Sequence, residues 1–208
     1  MGIAGIYSRY VFAPIMDRLL SAEEIDRRRQ MVVARAAGKV LEIGFGTGLN
    51  LPHYSSAVTS LTLLDPEELL PGRVQQRMDA CRARQVVRTS ASAEQLPFSD
   101  ATFDVVVSTY ALCTIPDAQA ALAEVWRVLH PRGTLLFAEH GRAAERSIAR
   151  WQDRLNPLQK WWACGCNLNR PIDQWIADAG FKIQELSRSP LEGAPRVLGS
   201  MYVGVATR

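Results

Sequence analysis

Apolar residues occur along this chain in short continuous runs, separated by stretches with helical periodicity. Short apolar runs predict β-strands, whereas apolar residues spaced three and four positions apart predict amphipathic helices. Strands that alternate with helices are typical of βαβ units, in which the strands form a parallel sheet covered on both faces. The pattern therefore predicts an α/β fold, whose first five strands lie at 39–43, 61–64, 86–89, 103–108 and 134–138.

The clearest helical signal lies at 117–129, between the fourth and fifth predicted strands. Leu122 and Val125 belong to its apolar face, Asp117 stands where an N-cap is expected, and Pro131 follows the end. We therefore expect a helix with one buried face at this position.

The carboxyl-terminal part continues with a short helix at 173–179 and two more apolar runs at 182–186 and 201–206, which we interpret as a final strand pair. Two segments, 1–37 and 142–170, fall outside the alternation. Residues 1–20 and 142–170 are expected to cover the functional site and to define its substrate pocket.

Composition and charge restrict the class of protein. A chain of 208 residues with 48% hydrophobic and 22% charged residues has the composition of one globular domain. The formal net charge of +3 arises from interleaved acidic and basic residues, as in 23–29, and no run of like charge is suited to a phosphate backbone. We therefore expect a single domain without a nucleic-acid partner.

Cysteine spacing and hydropathy bear on the compartment. Of the 4 cysteines, Cys164 and Cys166 are too close for an unstrained bridge, and no Cys/His pairs have zinc-site spacing. We therefore expect free thiols, a cytoplasmic setting and no metal.

No segment is apolar for long enough to cross a bilayer, and no signal-peptide pattern is visible. The amphipathic stretch 6–20, interrupted by Pro14, leaves a weak peripheral membrane contact open, although packing on its own domain is the commoner use.

A glycine-rich loop follows the first predicted strand. The sequence Glu-Ile-Gly-Phe-Gly-Thr-Gly occupies 42–48, and a helix is expected from Leu49. Glycine lets the backbone approach a ligand closely, and a helix N-terminus offers free N–H donors. In an open parallel sheet the ligand lies beyond the carboxyl ends of the strands. The loop therefore predicts a nucleotide-cofactor site.

Charge distinguishes between two nucleotide cofactors. The dinucleotide fingerprint requires a small residue at the position of Leu49, and a pyrophosphate is disfavoured by a carboxylate such as Glu42. S-adenosylmethionine has no phosphate and carries an ammonium and a sulfonium group, which suit an acidic neighbour. The loop favours S-adenosylmethionine, with NAD as the alternative.

Asp65 ends the second predicted strand, about 20 residues beyond the loop, where an acid commonly accepts hydrogen bonds from ribose hydroxyls. The alternative is that Asp65 caps the turn before Pro66. Both roles remain open from the residues alone.

Further motifs make the resemblance specific. The glycine loop, Asp65 and the stretches 93–98, 103–107 and 127–133 have the order and spacing found in class I S-adenosylmethionine-dependent methyltransferases, which this chain resembles over 39–139. The resemblance implies a Rossmann-like fold with a seven-stranded, mostly parallel sheet, an antiparallel final strand and N-terminal helices as a cover. It implies one domain, 1–208, made of a helical cover (1–37), a cofactor-binding core (39–139), a substrate-side insertion (142–170) and a C-terminal helix with a strand pair (171–208).

The same resemblance assigns roles along the cofactor. Glu42 and the glycine loop are expected to hold the methionine end, Asp65 the ribose, and the loop at 93–94 the adenine. Many members have Asp at the position of Ser92, so adenine recognition here is expected to rest on the Ser92 side chain and the backbone beside it. The expected cofactor-binding residues are Glu42, Gly44, Phe45, Gly46, Gly48, Asn50, Asp65, Pro66, Ser92, Ala93, Glu94, Ser108 and Thr109.

The rest of the chain narrows the branch. The stretches 108–117, 139–141, 150–157, 165–170 and 201–206 are similar to those of a methyltransferase-like branch that includes animal thiol S-methyltransferases and their bacterial relatives. This branch resemblance implies a small-molecule acceptor with thiol sulfur favoured. An amine or hydroxyl of a lipid headgroup or metabolite is the next candidate, and a cofactor-binding protein without turnover is the alternative of another class.

Methyl transfer from a sulfonium needs little more than positioning and exclusion of water, because the cofactor supplies the electrophile. Two residues are candidates for the chemistry: Cys113, just past the fourth strand, and His140, just past the fifth, which is the best candidate for a base. A small buried thiol and a strand-end imidazole are equally ordinary structural roles. The aromatic residues Tyr7, Tyr10, Trp151, Trp161 and Trp162 are candidates for the roof of an apolar acceptor pocket, and core packing explains them nearly as well.

Overall fold

A mixed β-sheet forms the centre of the molecule in a computed structural model, which describes residue 5 and residues 7–198 and 200–208. The first four residues and residue 6 of the expected N-terminal cover lie outside the described part. The strands are β1 (Gly38–Ile43), β2 (Val58–Leu64), β3 (Val86–Thr89), β4 (Phe103–Thr109), β5 (Leu129–His140), β6 (Lys182–Pro190) and β7 (Ser200–Thr207).

The strand order is β3-β2-β1-β4-β5-β7-β6. Strands β1 to β5 pair in parallel, and β7 lies antiparallel between β5 and β6. The predicted seven-stranded, mostly parallel sheet with an antiparallel final strand is confirmed. The order reverses between β1 and β4, so a crevice opens beyond the carboxyl ends of these two central strands.

Helices cover both faces of the sheet, and an apolar core cluster lies on each face. They are α1 (Ala13–Leu20), α2 (Glu23–Val33), α3 (Pro71–Asp79), α4 (Ala118–Val128), α5 (Arg146–Trp162) and α6 (Ile172–Asp178). The predicted cap of α4 is present, because the Asp117 carboxylate accepts a hydrogen bond from the Ala120 amide at 3.0 Å. Leu122 and Val125 lie on the buried face of α4 as expected.

Two local expectations were wrong. The chain does not enter an α-helix at Leu49 but makes a turn and one short 3₁₀ segment, Leu51–His53, since Gly48 has a φ of +82° and Pro52 lacks an amide donor. Pro14 does not interrupt the N-terminal helical segment, in which it lies in the first turn of α1. A π-helical turn, Ser8–Phe12, leads directly into α1.

Within the described residues, no helix is both long enough and apolar enough to span a bilayer.

Candidate active site

A cavity of about 780 Å³ opens beyond the carboxyl ends of β1, β2, β4 and β5. Helices α1 and α2 and the end of α5 border it from above. The predicted site residues that line it are Glu42, Gly44, Phe45, Gly46, Asn50, Asp65, Pro66, Ser92, Ala93, Thr109, Cys113 and His140.

The glycine loop forms the floor of this cavity. Gly44 and Gly46 have φ values of +66° and +54°, and a Cβ on Gly44 would lie 2.5 Å from the Cβ of Ala111. A side chain at position 44 is excluded by both conformation and space. The Gly46 amide donates to Oδ2 of Asp65 at 3.0 Å, so the loop is joined to the end of β2. The chain thus brings exposed backbone close to any molecule that occupies the cavity.

Asp65 has one of the two roles that the sequence left open, that of capping a turn, and its position remains compatible with the other. Its Oδ1 accepts a hydrogen bond from the Glu67 amide at 2.9 Å, which caps the turn, while Oδ2 accepts from Gly46. Each carboxylate oxygen retains a further lone pair, and Asp65 borders the cavity. Burial raises the pKa of Asp65, and the two backbone hydrogen bonds oppose that rise. The geometry suits an acid that accepts hydrogen bonds from vicinal hydroxyls.

Glu42 lies at the bottom of the cavity in a polar network. Its carboxylate accepts hydrogen bonds from the Tyr54 hydroxyl at 2.7 Å and from Asn50 Nδ2 at 2.8 Å. Burial raises the pKa of Glu42 to about 7, and these hydrogen bonds only partly offset the effect. A cation placed against Glu42 would favour its ionised form.

Arg29 is a site residue that the sequence reasoning missed. It belongs to α2, is only 3% exposed and lines the cavity. Its Nη1 donates to Asn50 Oδ1 and Thr109 Oγ1, both at 3.1 Å, and its guanidinium lies 5.0 Å from the ring centre of Tyr110. The stretch 23–29 was interpreted only as interleaved surface charge. Helical spacing is the signal that identifies Arg29, because Ile25 lies four residues before it on the same buried face.

Three residues predicted to bind the cofactor do not border the cavity in the described part of the chain: Gly48, Glu94 and Ser108. The Ser108 hydroxyl points into the sheet and donates to Glu139 at 2.6 Å. Glu94 accepts hydrogen bonds from the Asp117 amide at 2.6 Å and from Ser92 at 3.0 Å, so it supports the neighbouring loop. These residues hold the walls of the site instead of lining it.

Cys113 and His140 come together with a third residue, Cys166. Each residue offers one ligating atom, and these three atoms all lie within 4.8 Å of one another. The distance between Cys166 Sγ and His140 Nδ1 is 4.0 Å. Interaction with the Cys166 thiol, together with burial, holds the pKa of Cys113 well above its ordinary value. The same interaction lowers the pKa of Cys166 despite burial. Sequence spacing predicted no metal ligands, because the three residues are separated by 26 residues or more.

Two polar side chains fix the loop that carries Cys166. The amide and Nδ2 of Asn167 donate to the carbonyl of Cys113 at 2.8 and 3.0 Å. The guanidinium of Arg170 donates to the carbonyls of Leu112, Ile115 and Pro116. The loop after α5 is therefore held against the loop after β4.

The N-terminal cover is tied down beside the glycine loop. Asp17 of α1 is buried and forms ion pairs with Arg73 and Arg77 of α3. Arg77 also donates to the carbonyl of Thr47 at 2.6 Å, which links the cover to the glycine loop. Burial opposes ionisation of Asp17, but hydrogen bonds to its carboxylate outweigh burial and lower its pKa.

The predicted aromatic roof is mostly absent. Trp162 lines the cavity, but Trp151 and Trp161 are 56% and 81% exposed and Tyr10 also faces outward. These residues lie on the faces of helical segments that point away from the sheet. The cover is aliphatic instead, with Met16, Leu19, Leu20 and Ile25 on the cavity side.

Comparisons with known proteins agree with this geometry. A family model described as a methyltransferase domain matches residues 41–137. The human thiol S-methyltransferase TMT1B is 32% identical over 206 residues, which cover 93% of this chain and 83% of that protein. A phosphatidylethanolamine N-methyltransferase of Cereibacter sphaeroides is 30% identical over 142 residues, or 64% of this chain and 70% of that protein. The solved structure of the Burkholderia thailandensis 1,6-didemethyltoxoflavin-N1-methyltransferase, with S-adenosylhomocysteine bound, shares the fold at a TM-score of 0.68 and 17% identity, covering 99% of this chain and 87% of that chain.

Fold, glycine loop and strand-end acid together define a class I methyltransferase that uses S-adenosylmethionine to methylate a small-molecule acceptor. Within that class, the chain belongs to the family of methyltransferases that includes human thiol S-methyltransferase TMT1B.

Proposed function

We propose that this enzyme transfers the methyl group of S-adenosylmethionine to the sulfur of a small, apolar thiol. The observation that carries the proposal is the composition of the cavity wall beyond the glycine loop. That wall is mostly apolar and offers the thiols of Cys113 and Cys166 and the imidazole of His140. The relationship to a protein named as a thiol S-methyltransferase supports the same acceptor.

The protonation chemistry favours sulfur over nitrogen. A thiol with a pKa near 8.5 is a thiolate to the extent of a few per cent at neutral pH, whereas an alkylamine near 10.4 is almost wholly protonated. Of the carboxylates that line the cavity, Asp17 is paired with arginines and Glu42 with Tyr54 and Asn50. Asp65 and Glu67 belong to the loop after β2 and not to the wall that carries Cys113. The wall beside Cys113 thus offers His140 as its base, which is enough for a thiol that the sulfonium already helps to ionise.

We assign the two ends of the cofactor from charge. Asn50 accepts from Arg29 and donates to Glu42, so a cation and an anion lie side by side at the floor. This pair is complementary to the carboxylate and ammonium of the methionine end. Asp65 is assigned to the ribose and the Ser92–Ala93 backbone to the adenine. The cofactor supplies the electrophilic methyl group, while these residues orient it and the aliphatic cover excludes water.

The compartment and partners belong to the same proposal. The 4 cysteines are all free. Free thiols persist in a reducing compartment, which supports a cytoplasmic enzyme acting on a small molecule and not on nucleic acid.

The second candidate is methylation of a lipid-headgroup amine, favoured by the similarity to the bacterial phosphatidylethanolamine N-methyltransferase. A screen with isotopically labelled S-adenosylmethionine over alkyl thiols, amines, phenols and phosphatidylethanolamine distinguishes the two. We expect label in thiols, with a rate that rises as the pH approaches the pKa of the thiol. Label in amines or phosphatidylethanolamine but not in thiols would show that the acceptor assignment is wrong, and label in no acceptor would favour a binding protein without turnover.

A further inference from the structure

Three side chains from separate parts of the chain, two on loops and one at the end of a strand, converge on one wall of the cavity. Cys113 follows β4, His140 ends β5, and Cys166 follows α5. Their ligating atoms lie within 4.8 Å of one another, and all three residues border the cavity. A tetrahedral zinc ion with Zn–S of about 2.3 Å and Zn–N of about 2.0 Å requires ligand atoms about 3.5–3.8 Å apart, so the side chains need to close by only about 1 Å.

The imidazole of His140 makes no short hydrogen bond to another described residue. His140 is buried, and its Nε2 has no hydrogen-bond partner among the described residues. Its Nδ1 faces Cys166 Sγ at 4.0 Å, beyond the length of an ordinary hydrogen bond from nitrogen. Coordination would give one nitrogen of this buried ring a close partner, which neither nitrogen has among the described residues.

The scaffold around the three side chains is already fixed. Asn167 and Arg170 attach the loop of Cys166 to backbone carbonyls at 112–116, as described above. His140 is held within the sheet by pairing between β5 and β7. The three donors therefore belong to rigid elements, as a preorganised metal site requires.

We propose that Cys113, His140 and Cys166 form a zinc site with its fourth coordination position open to the acceptor cavity. Two thiolates and one imidazole are a ligand set that suits Zn²⁺ and disfavours Mg²⁺ and Ca²⁺, which prefer oxygen. Three protein ligands with one open position are the arrangement of catalytic zinc sites, whereas structural sites use four. The two thiolates balance the charge of the ion.

The open position fits the acceptor sulfur, a step that rests on the proposed thiol methyltransferase activity. The thiol binds zinc as a thiolate and releases its proton to water, so in this arrangement the zinc ion ionises the thiol and His140 acts as a ligand instead of a base. A sulfur lone pair then forms the new S–CH₃ bond while the methyl–sulfonium bond breaks, and its electron pair stays on the cofactor sulfur to give neutral S-adenosylhomocysteine. The neutral thioether product is a weaker zinc ligand than the thiolate and dissociates.

Metal content tests the site without reference to activity. The full chain is purified under a reductant, loaded with Zn²⁺, gel-filtered and analysed by mass spectrometry of the metal. We expect one zinc per chain in the wild type and loss of it in Cys113→Ser and Cys166→Ser. Cys164→Ser and Cys81→Ser are the matched controls, since both thiols lie outside the cluster, and both should retain zinc. Binding of S-adenosylhomocysteine shows that each variant is folded.

Cobalt provides a second readout. Co²⁺ in the wild type should produce a thiolate-to-cobalt charge-transfer band in the near ultraviolet, which both cluster variants lack. A wild type that retains no zinc, or binds Co²⁺ without this band, would overturn the proposal, as would a Cys113–Cys166 disulfide that persists under reductant.

Activity then separates the two proposals. Removal of zinc should lower thiol methylation by at least about tenfold and leave cofactor binding unchanged. Thiol methylation at the full rate by zinc-free enzyme would overturn the zinc proposal and leave the acceptor assignment intact. Stoichiometric zinc in a protein that methylates only amines would support the metal site and overturn the acceptor assignment.

Discussion

At the scale of single residues, the electrostatics of the site depend on two buried charged side chains. Glu42 and Arg29 are both buried, and Asn50 connects them. A buried arginine without a carboxylate in direct contact is expensive, and the proposed contact with the carboxylate of the cofactor would offset that cost. This argument makes Arg29 the residue on which cofactor affinity is most simply tested.

Replacing Arg29 with alanine should weaken binding of S-adenosylhomocysteine by about tenfold to 100-fold. One charge-assisted hydrogen bond to the methionine carboxylate, about 1.5–3 kcal/mol, is lost. Isothermal calorimetry measures the affinity, and Arg27→Ala on the exposed face of the same helix is the control. A cofactor analogue without the carboxylate should bind wild type and Arg29→Ala equally well. If that analogue also loses affinity, Arg29 supports the site in another way.

At the scale of elements, the cover is held by ion pairs between helices. Asp17 on α1 contacts two arginines of α3, and one of these, Arg77, also holds the glycine loop at Thr47. The acid is buried, so an unpaired arginine beside it would leave charge uncompensated. Arg77 is therefore shared between the cover and the glycine loop.

Asp17→Asn should release α1 from α3. We expect faster hydrogen exchange over 13–20, because α1 is no longer held. The KM for the acceptor should rise by about tenfold, which corresponds to about 1.4 kcal/mol of lost binding free energy and is modest for a partly buried ion pair. The affinity for the cofactor should change by less than about threefold. Exchange mass spectrometry and steady-state kinetics measure the two effects. Asp79→Asn, at the end of α3 and bonded only to Gln75 among the described residues, is the control. Unchanged exchange over α1 would contradict the proposed tether.

At the scale of the whole molecule, buried acids make stability depend on pH. The pKa of Glu42 is raised to about 7 from an ordinary value of 4.5, chiefly by burial. Between these two values the native state therefore binds more protons than the unfolded state. The contribution of Glu42 to stability is fully present below pH 4.5 and is lost as the pH rises to about 7.

Glu42→Gln should reduce this dependence. Without cofactor, the free energy of unfolding of the wild type should fall, relative to the variant, by up to about 1 kcal/mol per pH unit between about pH 5 and 7. Chemical denaturation at several pH values measures the difference, and Glu192→Gln on an exposed loop is the control. Parallel curves for wild type and Glu42→Gln would show that Glu42 stays ionised throughout.

The sequence by itself predicted the seven strands and their order along the chain. Continuous apolar runs gave the positions of β1, β4 and β5, because a strand buried on both faces cannot contain many polar residues. The cap at Asp117 was readable because an N-cap depends on a few neighbouring residues. The cofactor site was predicted from local motifs along the first four strands.

The tertiary structure alone decided which distant side chains meet. Arg29 turns inward and Cys166 joins Cys113 and His140 because α2 and the loop after α5 pack over the sheet edge. These features depend on contacts between residues far apart in sequence, and a local pattern of hydrophobic and polar positions carries no information about such contacts.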